Sequence, residues 1–169
     1  MVRYVALLRA INVGGHGKLA MRDFQRLCQE AGFEDVRTYI ASGNAVFEAD
    51  GSEAFIRDAL ETRLHAHAGA PIGVILRTGA EMASVVARNP FRDQPPNRVM
   101  ALFTDTPIPG DPLEGAKGLA DEKIVSGERE MFVFYPTGMA RTRLRLPAEK
   151  TGTARNMNTV ATLARMSTT

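Results

Sequence analysis

Three stretches of this sequence gather residue types that can hold an anion. The first is Asn12-Val13-Gly14-Gly15-His16-Gly17-Lys18, whose glycines would let the backbone approach a phosphate while Lys18 adds a point charge. A loop joining a strand end to a helix start also offers unpaired N–H groups and the positive end of the helix dipole. Its spacing fits neither the Walker A pattern nor the dinucleotide fingerprint, and no Ser or Thr follows to hold magnesium. An ordinary strand-to-helix connection would look the same.

The second stretch is Ser42-Gly43-Asn44. Gly and Asn tolerate positive φ, so a hairpin turn accounts for it without any function. Its expected place is the end of the sheet opposite the loop after the first strand, which speaks against one pocket built from both. The third stretch runs from Lys150 to Thr159 and crowds Thr, Asn and two cations into a short span. Thr153 is expected to cap the last helix, with Arg155 and Asn156 in its first turn. A cation there opposes the dipole, which an acidic partner or ligand would explain. The candidate ligand-binding residues are therefore Asn12, Gly14, Gly15, Lys18, Ser42, Asn44, Lys150, Thr153, Arg155, Asn156 and Asn158.

Other reactive side chains do not assemble. Cys28 shares an apolar helix face with Phe24 and Leu27 and reads as a small core residue. His65 and His67, two apart on a helix, point to different sides, which is poor metal geometry. No Ser–His–Asp set or glycine-flanked serine elbow can be assigned, so catalytic residues stay unidentified and neither metal nor cofactor is called for.

The charge distribution carries more than the formal total of +2. From Thr137 onward Arg141, Arg143, Arg145, Lys150, Arg155 and Arg165 face a single acid, Glu149, which leaves this tail near +5 and the preceding chain near −3. Such asymmetry suits an anionic partner as well as a solvated basic face. One cysteine excludes an internal disulfide, no segment approaches a membrane span, and no signal-peptide pattern opens the chain. A cytoplasmic protein is the expectation.

The elements that must position these residues can be read from periodicity. Val2–Leu8 is a nearly continuous apolar run, as in a central strand covered on both faces. Met21, Phe24, Leu27, Cys28 and Ala31 recur at helical spacing, and Gly32 closes that helix. Strands are expected at 33–41, 45–48 and 72–76, with a helix capped by Ser52 that turns Ile56, Leu60 and Leu64 inward. Strand, helix, strand, strand, helix, strand is the split βαβ unit of the ferredoxin-like fold.

The second half repeats the theme: a helix at 81–88, a strand at 98–103, a proline-rich loop, a short helix at 113–117 and a hairpin of 123–126 with 131–135. A last helix is expected at about 156–166. Ile40-Ala41-Ser42-Gly43 and Ile124-Val125-Ser126-Gly127 hint at duplication. The expected fold is α+β, with two ferredoxin-like halves at 1–78 and 79–169, mostly antiparallel sheets and a C-terminal helix.

Tyr4–Gly15, Thr38–Asn44 and Thr153–Val160 together resemble the three signature stretches of the domain of unknown function family 1697 (DUF1697). The family usually has Gly where this chain has Ala10, and an aromatic where it has Met157. The resemblance implies a bacterial cytosolic protein with ferredoxin-like halves and no established activity, and strengthens the reading of the three stretches as a set.

The leading functional expectation is a binding module for a phosphate-bearing ligand, either a nucleotide or a nucleic-acid segment. RNA platforms of this fold expose aromatics on central strands, and an aromatic content of 7% without Trp does not favour that route. The alternatives are an enzyme acting on a small phosphorylated or carboxylated substrate, with Lys18, Arg155 and Asn156 as electrostatic stabilisers, and a protein-interaction domain.

Overall fold

The structure, a computed structural model, describes residues 1–11, 18–108 and 110–168. Contacts divide the chain into two compact units, Met1–Ala83 together with the chain from Leu163, and Ser84–Thr162.

The first unit is built from β1 (Val2–Leu8), α1 (Met21–Glu30), β2 (Glu34–Thr38), β3 (Asn44–Ala49), α2 (Glu53–Ala68) and β4 (Val74–Thr78). Its sheet has the order β2-β3-β1-β4 with every neighbouring pair antiparallel, the split βαβ arrangement. The apolar run of β1 makes it a central strand. Tyr4, Ala6 and Leu8 join Phe24, Leu27 and Cys28 of α1 and Ile56, Leu60 and Leu64 of α2 in one core. Val5 and Leu7 are buried on the other face. Ser52 caps α2 by accepting the Phe55 N–H at 3.1 Å, and Gly69 ends it in the left-handed region.

The helix α3 (Gly79–Arg88) leads on, and the second unit's sheet holds β5 (Val99–Phe103), β6 (Lys123–Ser126), β7 (Glu130–Phe134) and β8 (Thr153–Asn156) before α4 (Met157–Thr168). Its order, β6-β7-β5-β8, repeats that of the first sheet. The fold is thus α+β with two four-stranded antiparallel sheets and a C-terminal helix, as the sequence implies.

The units differ in their crossovers. Where the first has α1 and α2, the second has irregular segments at 104–122 and 135–152, with a single 3-10 turn at Pro147–Lys150 among the described residues. The helix expected at 113–117 is absent: turns occupy 113–115, and Lys117 bridges antiparallel to Arg145. Gly115 and Gly118 hold φ of +77° and +73°, which a right-handed helix cannot use. These segments nonetheless cover the sheet: Leu144 and Leu146 pack on Leu102, Met131 and Val133.

The division between the units falls inside α3 instead of between residues 78 and 79, and the end of α4 belongs to the first unit. Side-chain and backbone contacts explain that return. Arg37 Nη2 donates to the Met166 carbonyl at 2.7 Å, and a Cβ on Gly79 would stand 2.4 Å from the Ser167 carbonyl oxygen.

The matching Ile-x-Ser-Gly segments are not structurally equivalent. Ile124–Ser126 form β6, whereas Ile40 and Ser42 lie in the turn between β2 and β3. What the hairpins do share is a buried polar residue opening the returning strand: Asn44 opposite Leu7, and Glu130 opposite Phe103.

Candidate functional site

β3 lies between β1 and β2 and runs antiparallel to both, so β1 and β2 end at the same edge of the sheet. The loop after β1 and the Ser42–Asn44 turn therefore share that edge, which corrects the expectation that they stand at opposite ends. The Leu8 N–H donates to the Gly43 carbonyl at 2.9 Å, and the Arg9 N–H donates to the Gly73 carbonyl at 2.9 Å. Gly43 has φ +89°, and a Cβ there would sit 2.6 Å from Ile11 Cδ1 and 3.0 Å from Leu8 Cβ. Glycine is required on both counts.

Two residues at this edge are held in the left-handed region without being glycine: Ala10 at φ +50° and Ile40 at φ +52°. That conformation costs on the order of 1–2 kcal/mol for an L-residue, and a β-branched one is a genuine outlier.

Asn44 is 0% exposed and closes the turn, donating from Nδ2 to the Tyr39 carbonyl and to Ser42 Oγ, both at 2.9 Å. Ser42 and Lys18 are exposed. Asn12, Gly14 and Gly15 lie outside the described residues.

The third stretch folds differently from its expectation. Thr153, Arg155 and Asn156 belong to β8, and the helix cap is Asn156, whose Oδ1 accepts the Thr159 N–H at 2.9 Å. Pairing of β8 with β5 outweighs the local capping preference of Thr153 and moves the helix start to Met157. Arg155 is only 6% exposed. Its Nη1 donates to Thr153 Oγ1 at 2.7 Å and to the Ala154 carbonyl at 2.9 Å. Burial pushes its pKa down to about 10, because the charged form loses hydration. Thr153 is buried beside it, while Lys150 and Asn158 are exposed. Lys18, Ser42 and Asn44 thus belong to the first unit, and the five residues of the third stretch to the second.

Arg155 has a counterpart that sequence reading missed. Arg77 in β4 is buried, pairs opposite Val5 as Arg155 pairs opposite Ala101, and also donates from Nη1 to the preceding carbonyl, that of Leu76, at 2.8 Å. Each arginine is followed by a helix cap. Thr78 Oγ1 accepts the Glu81 N–H at 3.1 Å while Glu81 Oε1 accepts the Thr78 N–H at 2.8 Å, a capping box at the start of α3. The available signal was Leu76-Arg77-Thr78 set beside Ala154-Arg155-Asn156, each just before a helix. A further buried charge, Glu130, forms an ion pair with Arg88 at 2.6 Å and accepts the Arg129 N–H at 2.9 Å.

Among the described residues no three His, Cys, Asp or Glu side chains come close enough to hold a metal, and no helix is long and apolar enough to cross a membrane.

Two four-stranded antiparallel sheets of one strand order, each ending in a buried Arg and a capped helix, define an α+β protein. The chain belongs to the family described as protein of unknown function (DUF1697), whose model matches residues 1–132. That match takes in the first two signature stretches, while the third lies beyond it. The chain is also similar to the solved structure of the conserved bacterial protein SP0830 from Streptococcus pneumoniae, with 26% identity, a TM-score of 0.80 and 98% of each chain covered. Among curated proteins, none matches.

Proposed function

We propose that the protein binds a phosphate-bearing ligand, a nucleotide or a nucleic-acid segment, at the edge of the first sheet where β1 ends. The observation that carries this reading is the meeting of two loops, through the Leu8–Gly43 hydrogen bond, that each hold a strained residue, Ala10 or Ile40. Strain of this kind persists only where surrounding structure enforces it, and it concentrates at ligand clamps and active sites. The residue types suit an anion: the sequence between Ile11 and Lys18 is glycine-rich, and the Lys18 ammonium and the hydroxyl of Ser42 in the turn are exposed. Arg155 supports a role from within the fold, since its guanidinium is already committed to Thr153 and Ala154.

The test is an NMR titration of the full chain with inorganic phosphate and a panel of nucleotides. The amides of Arg9, Ala10, Lys18 and Ser42 to Asn44 should move together, and Lys18→Ala should weaken the response. Shifts confined to other parts of the chain would overturn the reading. A nucleic-acid strand is separated from a mononucleotide by salt: affinity for the strand falls by roughly 0.7 log units per neutralised phosphate for each tenfold rise in salt.

A further inference from the structure

The irregular segments that replace helices in the second unit leave a cleft of about 500 Å³ between residues 118–122 and 137–143. That volume lies in the range of roughly 300–1,000 Å³ typical of small-molecule sites. Hydrogen bonds between the two segments hold its walls. The Thr137 hydroxyl donates to Asp121 Oδ2 at 3.1 Å, and the Thr142 hydroxyl donates to Glu122 Oε2 at 2.6 Å. Glu122 Oε1 also accepts the Ala120 N–H at 2.8 Å. The Thr142 bond, followed by that of Ala120, lowers the Glu122 pKa, so this carboxylate is held ionised and occupied.

The cations of the cleft are in a different state. Arg141 and Arg143 line it as well, and among the described residues neither has an ion-pair partner. On each segment an exposed apolar residue is the sequence neighbour of lining residues. Leu119, 46% exposed, stands between the lining residues Gly118 and Ala120, and Met139, 41% exposed, stands between Gly138 and Ala140.

We propose that this cleft binds an amphipathic anion, a small molecule whose phosphate or carboxylate group is gripped by Arg141 and Arg143 while its apolar body lies against Leu119 and Met139. A guanidinium pair suits either oxyanion, because planar forks bind phosphate and carboxylate through paired hydrogen bonds. Among the described residues, Asp121 and Glu122 are bonded to threonine hydroxyls and form no ion pair with the arginines. They also set a limit on the ligand: a bare polyanion would meet their charge, whereas one anionic group attached to an apolar body would not. This site is separate from the one proposed in the first unit, and either can fail without the other.

The experiment is a titration of the full chain, followed by amide NMR, with phenyl phosphate, benzoate, benzyl alcohol and inorganic phosphate as probes. Phenyl phosphate or benzoate should shift the amides of Leu119, Ala120, Met139 and Ala140. Whichever binds more tightly identifies the preferred anionic group. Benzyl alcohol and inorganic phosphate, each carrying half of the chemistry, should bind at least about tenfold more weakly. The double variant Arg141→Ala/Arg143→Ala should lose about tenfold in affinity for the better probe, and Leu119→Ser should weaken that probe while leaving inorganic phosphate unchanged. The proposal is overturned if both aromatic anions leave these amides unmoved, if benzyl alcohol binds as well as they do, or if the double variant binds like the parent.

Discussion

Leu8 and Gly43 are joined by a backbone hydrogen bond of 2.9 Å that ties the last residue of β1 to the turn between β2 and β3. It extends the β1–β3 ladder, in which Leu7 already pairs with Asn44, by one further link. Because Gly43 also receives Ile11 against its open α-carbon, the turn and the start of the following loop are packed as one body.

Gly43→Ala should therefore be costly. The new methyl would fall 2.6 Å from Ile11 Cδ1 on a backbone at φ +89°. A loss of about 2–4 kcal/mol is expected from overpacking and left-handed strain together. Urea unfolding measures it, and in an Ile11→Ala background Gly43→Ala should cost less than in the parent, the difference being the steric part. A Gly43→Ala protein as stable as the parent would show that the close approach of Ile11 is wrong.

Ala10→Gly should act in the opposite direction. At φ +50° alanine is strained and glycine is not, so the change should stabilise by about 0.5–1 kcal/mol despite the added freedom of the unfolded chain. If strain at this edge serves ligand binding, phosphate affinity of the variant should fall while its melting temperature rises. A lower melting temperature would contradict the backbone assignment.

Arg155→Ala removes a buried guanidinium and strands the Thr153 hydroxyl and the Ala154 carbonyl that accept from it. The expected cost is about 3 kcal/mol, equal with and without nucleotide, because both hydrogen bonds lie inside the fold. Arg155→Met keeps most of the volume without the buried charge and should cost about 1 kcal/mol or less. Thermal melts of both variants decide this. Parent-like stability of Arg155→Ala combined with weaker nucleotide binding would return Arg155 to the ligand site.

Glu130→Ala should be similarly damaging. It leaves Arg88 without the carboxylate at 2.6 Å and the Arg129 N–H without its acceptor. A cost of about 3 kcal/mol is expected, and at least as much for Arg88→Ala, since that change strands the buried Glu130 carboxylate without its cation. Denaturant midpoints for the two single variants and the double variant give the coupling between them, and a coupling of zero would show the pair to be incidental.

Cys28 supplies a pH dependence. Burial raises its thiol from 9.0 to about 12, so the unfolded chain loses this proton first as pH rises. The thiol's contribution to stability is thus complete below pH 9.0 and declines as pH climbs toward about 12. Cys28→Ala should flatten the fall in stability above pH 9.0, and thiol reagents should label the native protein only as fast as it opens. Rapid stoichiometric labelling would show the thiol exposed.

Local sequence settled much of this protein. The apolar run of Val2–Leu8 defines β1 residue for residue, and the spacing of Phe24, Leu27 and Cys28, or of Ile56, Leu60 and Leu64, fixes the buried faces of α1 and α2. Ser52 capping α2 and Gly32 closing α1 follow from backbone chemistry that acts within a few residues. Strand order could be inferred because the succession of elements leaves few topologies open.

What lay beyond reach depended on partners far away in the chain. Arg155 reads as a helix-start residue in isolation, and only pairing of β8 with β5 makes it a buried strand residue. Arg77 lies just past the strand expected at 72–76, and only the assembled sheet makes it a buried residue of β4. The meeting of Gly43 with Leu8 and Ile11 and the cleft between residues 118–122 and 137–143 have the same origin. Periodicity and capping are short-range effects written in neighbouring residues, whereas a site is made where segments distant in sequence pack together, and that packing is decided by tertiary structure alone.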